Sequence, residues 1–373
     1  TDLLVTGPDI IFFWVARMIM FNLKFHGEVP FKDVYFTSII RDAKGRKLSK
    51  SLGNSPDPLP LIAKYGADAM RFTMINAAPI GQDVRLQINE KTGDIESLEL
   101  GRNFANKVWN AARFLMMKRE EAFADLDPMQ RALSTNVLKN EAQNLSDKWI
   151  LARFHATIRE TQQQLEAYKL HDYARTMYQF IWNDFCDWYV EVVKIRMNAS
   201  SDKNYNRALI NFAINLFDGV LRLLHPIMPF ATEEIWQALL KREEGASICV
   251  APVPEAPQDS LQIESAALEN FGKVQTMIEQ IRALRGLMNI QPAEKLPVTL
   301  SCSDTGVRAL ADDQAAIIQA MTRASELTIG ASASKPEGSV SALAGGVEIF
   351  LTVKGVVDFA EERKRLEKEL TRL

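Results

Sequence analysis

At 373 residues, with 47% hydrophobic and 24% charged residues and a net charge of -3, the chain has room for two or three domains. That balance excludes a disordered chain and a globally basic nucleic-acid binder, so any nucleic-acid surface has to be a local patch. The three cysteines, Cys186, Cys249 and Cys302, stand far apart without a C-x-x-C pair. Their spacing supports neither a disulfide framework nor a zinc site, so no tightly bound metal is expected and a reducing cytoplasm fits best. The most apolar run, Ile10 to Ala16, is stopped by Arg17 and is too short to span a bilayer, and no signal peptide opens the chain. The chain begins at Thr1 and stops inside a helical repeat, which reads as a piece of a longer protein.

Leu3-Leu4-Val5 predicts a short buried strand, and Thr6-Gly7-Pro8-Asp9 the turn after it. Asp9 is then placed to cap an apolar helix from Ile10 to about Phe25. A strand, a glycine turn and a helix form half of a βαβ unit, the setting of nucleotide sites at strand C-terminal ends. At such a turn Asp9 could equally hold a ribose hydroxyl or an ammonium group, or act only as the cap. Ile10 and Trp14 lie one turn apart and can face one pocket, although ordinary core packing explains such a pair as well. Val34 to Ile40 is β-rich and predicts the next strand.

Directly after it comes Lys47-Leu48-Ser49-Lys50-Ser51, then Leu52-Gly53-Asn54. Two lysines three apart can bring two ammonium groups to one polyanion, with serine hydroxyls and the Gly53 backbone as further donors. A bare K-x-S-K-S is more often a solvated loop with incidental lysines; its place beyond a strand end reverses that reading. Short helices are expected from Pro58 to Tyr65 and Ala67 to Ala78, and an extended piece near Gly81 to Arg85. From Glu99 the pattern turns to amphipathic helices, with Phe104, Val108, Ala111 and Leu115 on one stripe. Further helices are predicted from Asp147 to Tyr168, His171 to Met197, Tyr205 to Leu224 and Phe230 to Arg242, forming an aromatic-rich bundle.

Pro252, Pro254 and Pro257 mark a linker, and a helix from Ile263 to Leu287 follows it. A small α/β module is expected next: strand Val298 to Leu300, helix Gly306 to Ala320, strand Leu327 to Ile329, a Gly/Ser-rich turn and strand Val347 to Val353. Phe359, Leu366, Leu370 and Leu373 begin a coiled coil. The expected division is 1–98, 99–244, a linker over 245–262, 263–355 and 356–373, in a mainly α chain.

Taken together, these segments resemble one family. Thr6-Gly7-x-Asp9-Ile10-Ile11-Phe12-Phe13-Trp14-Val15-Ala16-Arg17-Met18 is similar to the catalytic domain of class I valyl-tRNA synthetases. Lys47 to Asn54 looks like the KMSKS loop of that class, with Leu48 in place of methionine. Tyr65-Gly66-Ala67-Asp68-Ala69-x-Arg71-Phe72 and Gly81 to Arg85 resemble the segment after it, and Arg102 to Phe114 the start of the anticodon-binding domain. Leu224-His225-Pro226-Ile227-Met228-Pro229-Phe230-x-Thr232-Glu233-Glu234-Ile235-Trp236 is similar to the end of that domain.

The resemblance implies a partial Rossmann-like α/β catalytic half, a helical anticodon-binding bundle, a small α/β module and the start of a coiled-coil arm. It also implies a valine–tRNA ligase reaction. Valine and ATP, with Mg2+ accompanying ATP as substrate, give valyl-adenylate and pyrophosphate, and the valyl group then passes to tRNA(Val). Lys47 and Lys50 take the catalytic role of stabilising the triphosphate. Gly7, Asp9, Ser49 and Ser51 join them in ATP binding. Asp9, Ile10 and Trp14 form the amino-acid pocket, and Phe114 and Arg113 are candidates for an anticodon base. The partners implied are ATP, L-valine and tRNA(Val), with no membrane and a monomeric state.

The family's H-x-G-H signature is missing: the histidines, His26, His155, His171 and His225, are not so spaced. The inserted editing domain is missing too. The piece is therefore expected to be inactive alone yet able to bind tRNA, with Lys47 and Lys50 mobile and unpaired. The alternatives are an isoleucyl relative, disfavoured by Ile10-Ile11-Phe12, and a non-catalytic helical RNA-binding or scaffold module.

Overall fold

In the computed structural model, residues 1–89, 92–126, 144–257 and 261–356 are described. The heptad positions Phe359, Leu366, Leu370 and Leu373 lie outside them. Two compact units interleave along the chain: one holds the described residues of 1–141, 153–188 and 210–257, the other those of 142–152, 189–209 and 258–373.

The first unit opens with β1 (Leu3–Thr6), α1 (Ala16–His26) and β2 (Asp33–Phe36), and β1 pairs parallel to β2 from Leu3↔Asp33 to Thr6↔Phe36. The expected half-unit is thus a complete β1–α1–β2 crossover. Between β1 and α1 the chain winds first tightly over Pro8–Ile10 and then widely over Ile11–Val15. The single β-rich run predicted from Val34 to Ile40 splits: β2 ends at Phe36, and β3 (Ile40–Arg41) pairs parallel to β4 (Val84–Arg85) in a second small sheet. The Asp83 carboxylate joins that sheet's ends, accepting from the Ile39 N–H at 3.3 Å and from Arg41.

Between β3 and β4 lie α2 (Pro58–Tyr65) and α3 (Ala67–Asn76), divided by Gly66 at φ +92°. Asp57 caps α2, accepting from the Leu59 N–H at 3.0 Å. Leu61, Tyr65, Ala69, Val84, Leu86, Ile95 and Leu98 form a core around α2 and β4, with Ile40 of β3 packed against it.

α4 (Leu98–Ala122) then crosses α3 closely: a Cβ on Gly101 would lie 2.3 Å from the Ala69 carbonyl oxygen. Phe72, Phe104 and Tyr178 pack ring on ring, with centroids 4.7 Å (Phe72–Phe104) and 5.0 Å (Phe104–Tyr178) apart. The helix expected from His171 to Met197 is three pieces wound end to end: α6 (Leu170–Gln179), a wider i→i+5 stretch over Phe180–Tyr189, and α7 (Val190–Ala199). α5 (Leu145–Glu166), α8 (Lys203–Leu224) and α9 (Pro229–Leu239) complete the helices of the predicted bundle. The part of α8 in the first unit buries Phe212, Leu216, Phe217, Val220, Leu221 and Leu224.

α3 also fixes the turn before α9. Asp68 accepts from the Ala231 N–H at 2.6 Å and the Phe230 N–H at 3.3 Å, satisfying free donors at that helix start. Arg71 donates to the carbonyls of Pro226 and Ile227 at 3.0 and 3.1 Å. The sequence segment after the lysine loop is thus bonded to the segment that closes the bundle.

The second unit is a sheet in the order β6-β5-β8-β7 with α10 (Leu261–Leu287), α11 (Thr305–Asp313) and α12 (Ala315–Thr322). Its strands are β5 (Leu296–Ser301), β6 (Ala324–Gly330), β7 (Ser339–Ala344) and β8 (Val347–Thr352). The stretch read as a Gly/Ser-rich turn contains β7, an edge strand antiparallel to β8. The helix predicted from Gly306 to Ala320 breaks at the buried Gln314. In this unit Asp147 accepts from Arg196 at 2.6 Å and from the Tyr189 hydroxyl at 2.8 Å, a buried pair whose donors and acceptors are matched.

Candidate functional site

The lysine loop is a β-turn ending built on one buried carboxylate. The Asp42 N–H donates to the Arg46 carbonyl and the Gly45 N–H to the Asp42 carbonyl, both at 2.9 Å, with Gly45 at φ +79°. The Asp42 side chain, only 9% exposed, accepts from the Arg46 N–H at 2.9 Å, the Arg46 guanidinium at 2.8 Å and the Asn54 amide at 3.0 Å. The bond from Asn54, with those from Arg46, outweighs burial and holds the Asp42 carboxyl well below the usual carboxylate range.

Asn54 is the second anchor. It also donates to the Lys47 carbonyl at 3.3 Å, and its side-chain oxygen accepts from the Ser49 N–H at 2.9 Å. Asp42 and Asn54 therefore clasp the loop at both ends. The Ser49 and Ser51 hydroxyls lie 2.7 Å apart, and Gly53, at φ +68°, closes the turn by donating to the Lys50 carbonyl at 3.2 Å. A polar cavity of about 350 Å³ opens beside the loop, lined among others by Asp42, Lys44, Arg46, Gly53 and Asn54.

The structure brings this loop to the turn after β1. Lys47 Nζ donates to the Asp9 carboxylate in a direct ion pair, and the bond lowers the Asp9 carboxyl from its ordinary value. Both side chains are about half exposed. Two expectations change here. Asp9 caps no helix: Gly7 stands at the cap position of the tight turn without a side-chain bond, and the carboxylate of Asp9 is spent on Lys47. Lys47 is paired, whereas Lys50 is exposed and makes no ion pair with any described residue. Gly7 makes the contact possible, since a Cβ there would lie 2.7 Å from the Asp9 carboxylate oxygen.

The remaining candidates fall into two groups. Ile10 and Trp14 are 36% and 57% exposed, on a surface that also shows Phe12, Phe13, Phe21 and Phe25. They are near Asp9 in sequence yet are not enclosed. Arg113 is exposed and Phe114 half-buried on the C-terminal half of α4, where Trp109 is also exposed. They share a helix and lie far along the chain from the loop.

The side chains that hold the site together, Asp42, Asn54 and Asp83, are absent from the sequence-based candidates. Asp42 and Asn54 flank K-x-S-K-S by a few residues, so the signal was present as two polar side chains able to bond a turn's own backbone. Chemically, the site offers a lysine on a carboxylate, a second lysine in solvent, paired hydroxyls and a turn rich in backbone donors. That set suits a polyanion once Lys47 leaves Asp9.

Comparison with known proteins agrees with this geometry. Residues 1–87 match the model of the class I tRNA synthetases of the I, L, M and V group, and residues 147–300 match that of the anticodon-binding domain of tRNA ligases. Similar sequences include valine–tRNA ligases of Chlorobaculum tepidum (42% identical over 100% of this chain and 40% of that protein) and Geobacter sulfurreducens (40% identical, 100% and 40%). The ligase of Bacillus thuringiensis subsp. konkukian is 40% identical over 99% of this chain and 39% of its own length. The chain thus spans about 40% of the length of the curated relatives it matches.

Among solved structures, the LeuRS of Agrobacterium radiobacter K84, in a ternary complex with tRNA and LeuAMS, shares the fold at TM-score 0.53 and 16% identity. The match covers 72% of this chain and 29% of that one. Methionyl-tRNA synthetase of Mycobacterium tuberculosis, in complex with methionyl-adenylate, aligns at TM-score 0.50 and 21% identity over 69% of this chain and 48% of its own. The chain is thus similar to class I tRNA synthetases over residues 1–87 and to the anticodon-binding domain of tRNA ligases over residues 147–300, and its sequence relatives are valine–tRNA ligases.

Proposed function

We propose that this chain is the part of a valine–tRNA ligase that supplies the phosphate-clamping half of the ATP site and the helical platform for the tRNA anticodon stem. The reaction joins L-valine to tRNA(Val) at the cost of ATP, giving AMP and pyrophosphate. The observation that carries the reading is the ion pair across 38 residues of chain between Lys47 of the loop and Asp9 of the β1 turn. It sets the lysine loop against the turn proposed to hold nucleotide and amino acid, and each half is useful for adenylate formation only beside the other.

In that reading Lys47 and Lys50 carry charge stabilisation of the triphosphate as it is cleaved, with Mg2+ accompanying ATP as substrate. Ser49, Ser51 and the loop backbone add donors. Asp9, released by Lys47 when ATP takes that lysine, is left as an acceptor for the ammonium group of valine, beside Ile10 and Trp14. Gly7 gives the turn room for ATP to approach. The bundle carries the tRNA contact, with Arg113 and Phe114 on α4 as anticodon candidates. The domain borders at residues 98, 244 and 262, the cytoplasmic setting and the monomeric state belong to the same proposal. Among the described residues no helix is long and apolar enough to cross a membrane.

The test is binding. The 373-residue chain is expected to shift tRNA(Val) in a gel at low salt, with affinity falling steeply as salt rises. Equal binding of a nonspecific duplex RNA, or no shift at all, would overturn the reading of the bundle.

A further inference from the structure

Three side chains far from the lysine loop converge at one end of the bundle. His225 lies just past α8, Glu233 on the second turn of α9, and Cys249 in the short 3-10 turn Ile248–Val250. Their ligand atoms all lie within 4.8 Å of one another, and His225 Nε2 is 3.1 Å from Cys249 Sγ. In tetrahedral coordination, a zinc-bound imidazole nitrogen and thiolate sulfur sit about 3.5 Å apart.

The surrounding bonds settle the imidazole's tautomer. The Thr232 hydroxyl donates to the Met228 carbonyl at 2.7 Å, so toward His225 Nδ1, 2.8 Å away, it can only accept. Nδ1 therefore carries the hydrogen, and Nε2 turns its lone pair toward the Cys249 sulfur. Glu233 is equally oriented: one oxygen accepts from Gln237 at 2.7 Å, the other from the Ser247 hydroxyl at 2.7 Å and the Ile248 N–H at 3.2 Å. Such supporting bonds, here to His225 and Glu233, are what a metal centre requires of its ligands.

We propose that His225 Nε2, Glu233 and Cys249 Sγ form a three-ligand site for a thiophilic divalent cation, zinc foremost, with a fourth position open to solvent. Imidazole plus thiolate selects Zn2+ over Mg2+ or Ca2+. Binding expels the Cys249 thiol proton to solvent, while the Nδ1–H stays on Thr232. The metal would tie the end of α8 to α9 and to the segment after it. A search for C-x-x-C cannot find such a site, because its ligands come from three separate stretches.

The spectrum offers a clean reporter, since Cys186 and Cys302 are buried and Cys249 is the exposed cysteine of the three. The purified metal-free chain is titrated with Co2+, then with Zn2+. One equivalent of Co2+ is expected to raise the near-ultraviolet band of a cobalt–thiolate bond together with tetrahedral visible bands, and Zn2+ to abolish both. Cys249→Ser is expected to remove the band, and Thr232→Val to weaken Co2+ binding about tenfold or more with the band retained. No thiolate band at stoichiometric Co2+, or a band that survives in Cys249→Ser, overturns the proposal. Circular dichroism of each variant keeps misfolding apart from lost ligation.

Discussion

The lysine loop and the helical part of the same unit are held by opposite means. The loop rests on a few directed bonds: Asp42 and Asn54 at its ends and the Lys47–Asp9 pair across to the β1 turn. Its side chains are largely exposed, and the ion pair is open to solvent, where such pairs contribute little to stability. The helical part rests on area. Phe72, Phe104, Phe185 and Phe217 are fully buried, and Phe185 stacks on Phe217 at 5.0 Å. A site held by few bonds can rearrange around a ligand, while the scaffold that carries it does not. Changes in the two regions should therefore separate cleanly into losses of fold and losses of chemistry.

The largest expected effect is on the scaffold. Phe72→Ala removes the centre of the ring cluster joining α3 and α4 and should destabilise the first unit by about 3–5 kcal/mol, read as a drop in its melting or denaturant midpoint. A shift no larger than that of a surface substitution would break the contrast. Gly101→Ala comes next, because its Cβ meets the backbone of Ala69 and neither helix can yield without moving the other. Overpacking of this kind costs about 1–3 kcal/mol.

In the loop the effect is local and depends on pH. The Asp42 carboxyl lies below its ordinary value of 3.8, so the folded loop binds its proton more weakly than the unfolded chain does. Its contribution is complete above that ordinary value and is lost as pH falls through the lower folded value. Hydrogen exchange of the Arg46 and Ser49 amides should stay slow at neutral pH and quicken only in strong acid, whereas Asp42→Asn should quicken Arg46 exchange already at neutral pH. Quickening already at mild acidity in the parent chain would contradict the Asp42 clasp. The smallest expected change in stability is that of Asp9→Asn: an unchanged melting curve, with the Lys47 side chain released to solvent, as faster exchange of its ammonium protons with water would report.

Much of this was legible in the sequence, and the exceptions have physical causes. Apolar periodicity places α5, α8 and α10 within a few residues of their observed ends and the start of α4 within one, because their buried stripes repeat every three or four positions. β7 was missed because an edge strand of Ser and Ala with only Val340 and an exposed Leu343 leaves no apolar run; its register comes from β8. The break at Gln314 and the wide winding over Phe180–Tyr189 carry no glycine or proline to announce them. At the site, the motif located Lys47 and Lys50, but the partner of Lys47 lies 38 residues away, beyond the reach of local pattern. The His225, Glu233 and Cys249 cluster was hidden for the same reason.

The central claim is that Lys47 works as a phosphate clamp parked on Asp9, and valine-dependent ATP–pyrophosphate exchange tests it most directly. In the full-length ligase proposed to carry this chain, Lys47→Ala is expected to lower exchange roughly a hundredfold to a thousandfold, with the melting curve unchanged. The 373-residue chain alone, lacking the H-x-G-H half, is expected to show none. Exchange within twofold of the parent in Lys47→Ala, or valine-dependent exchange by the chain alone, would contradict the account.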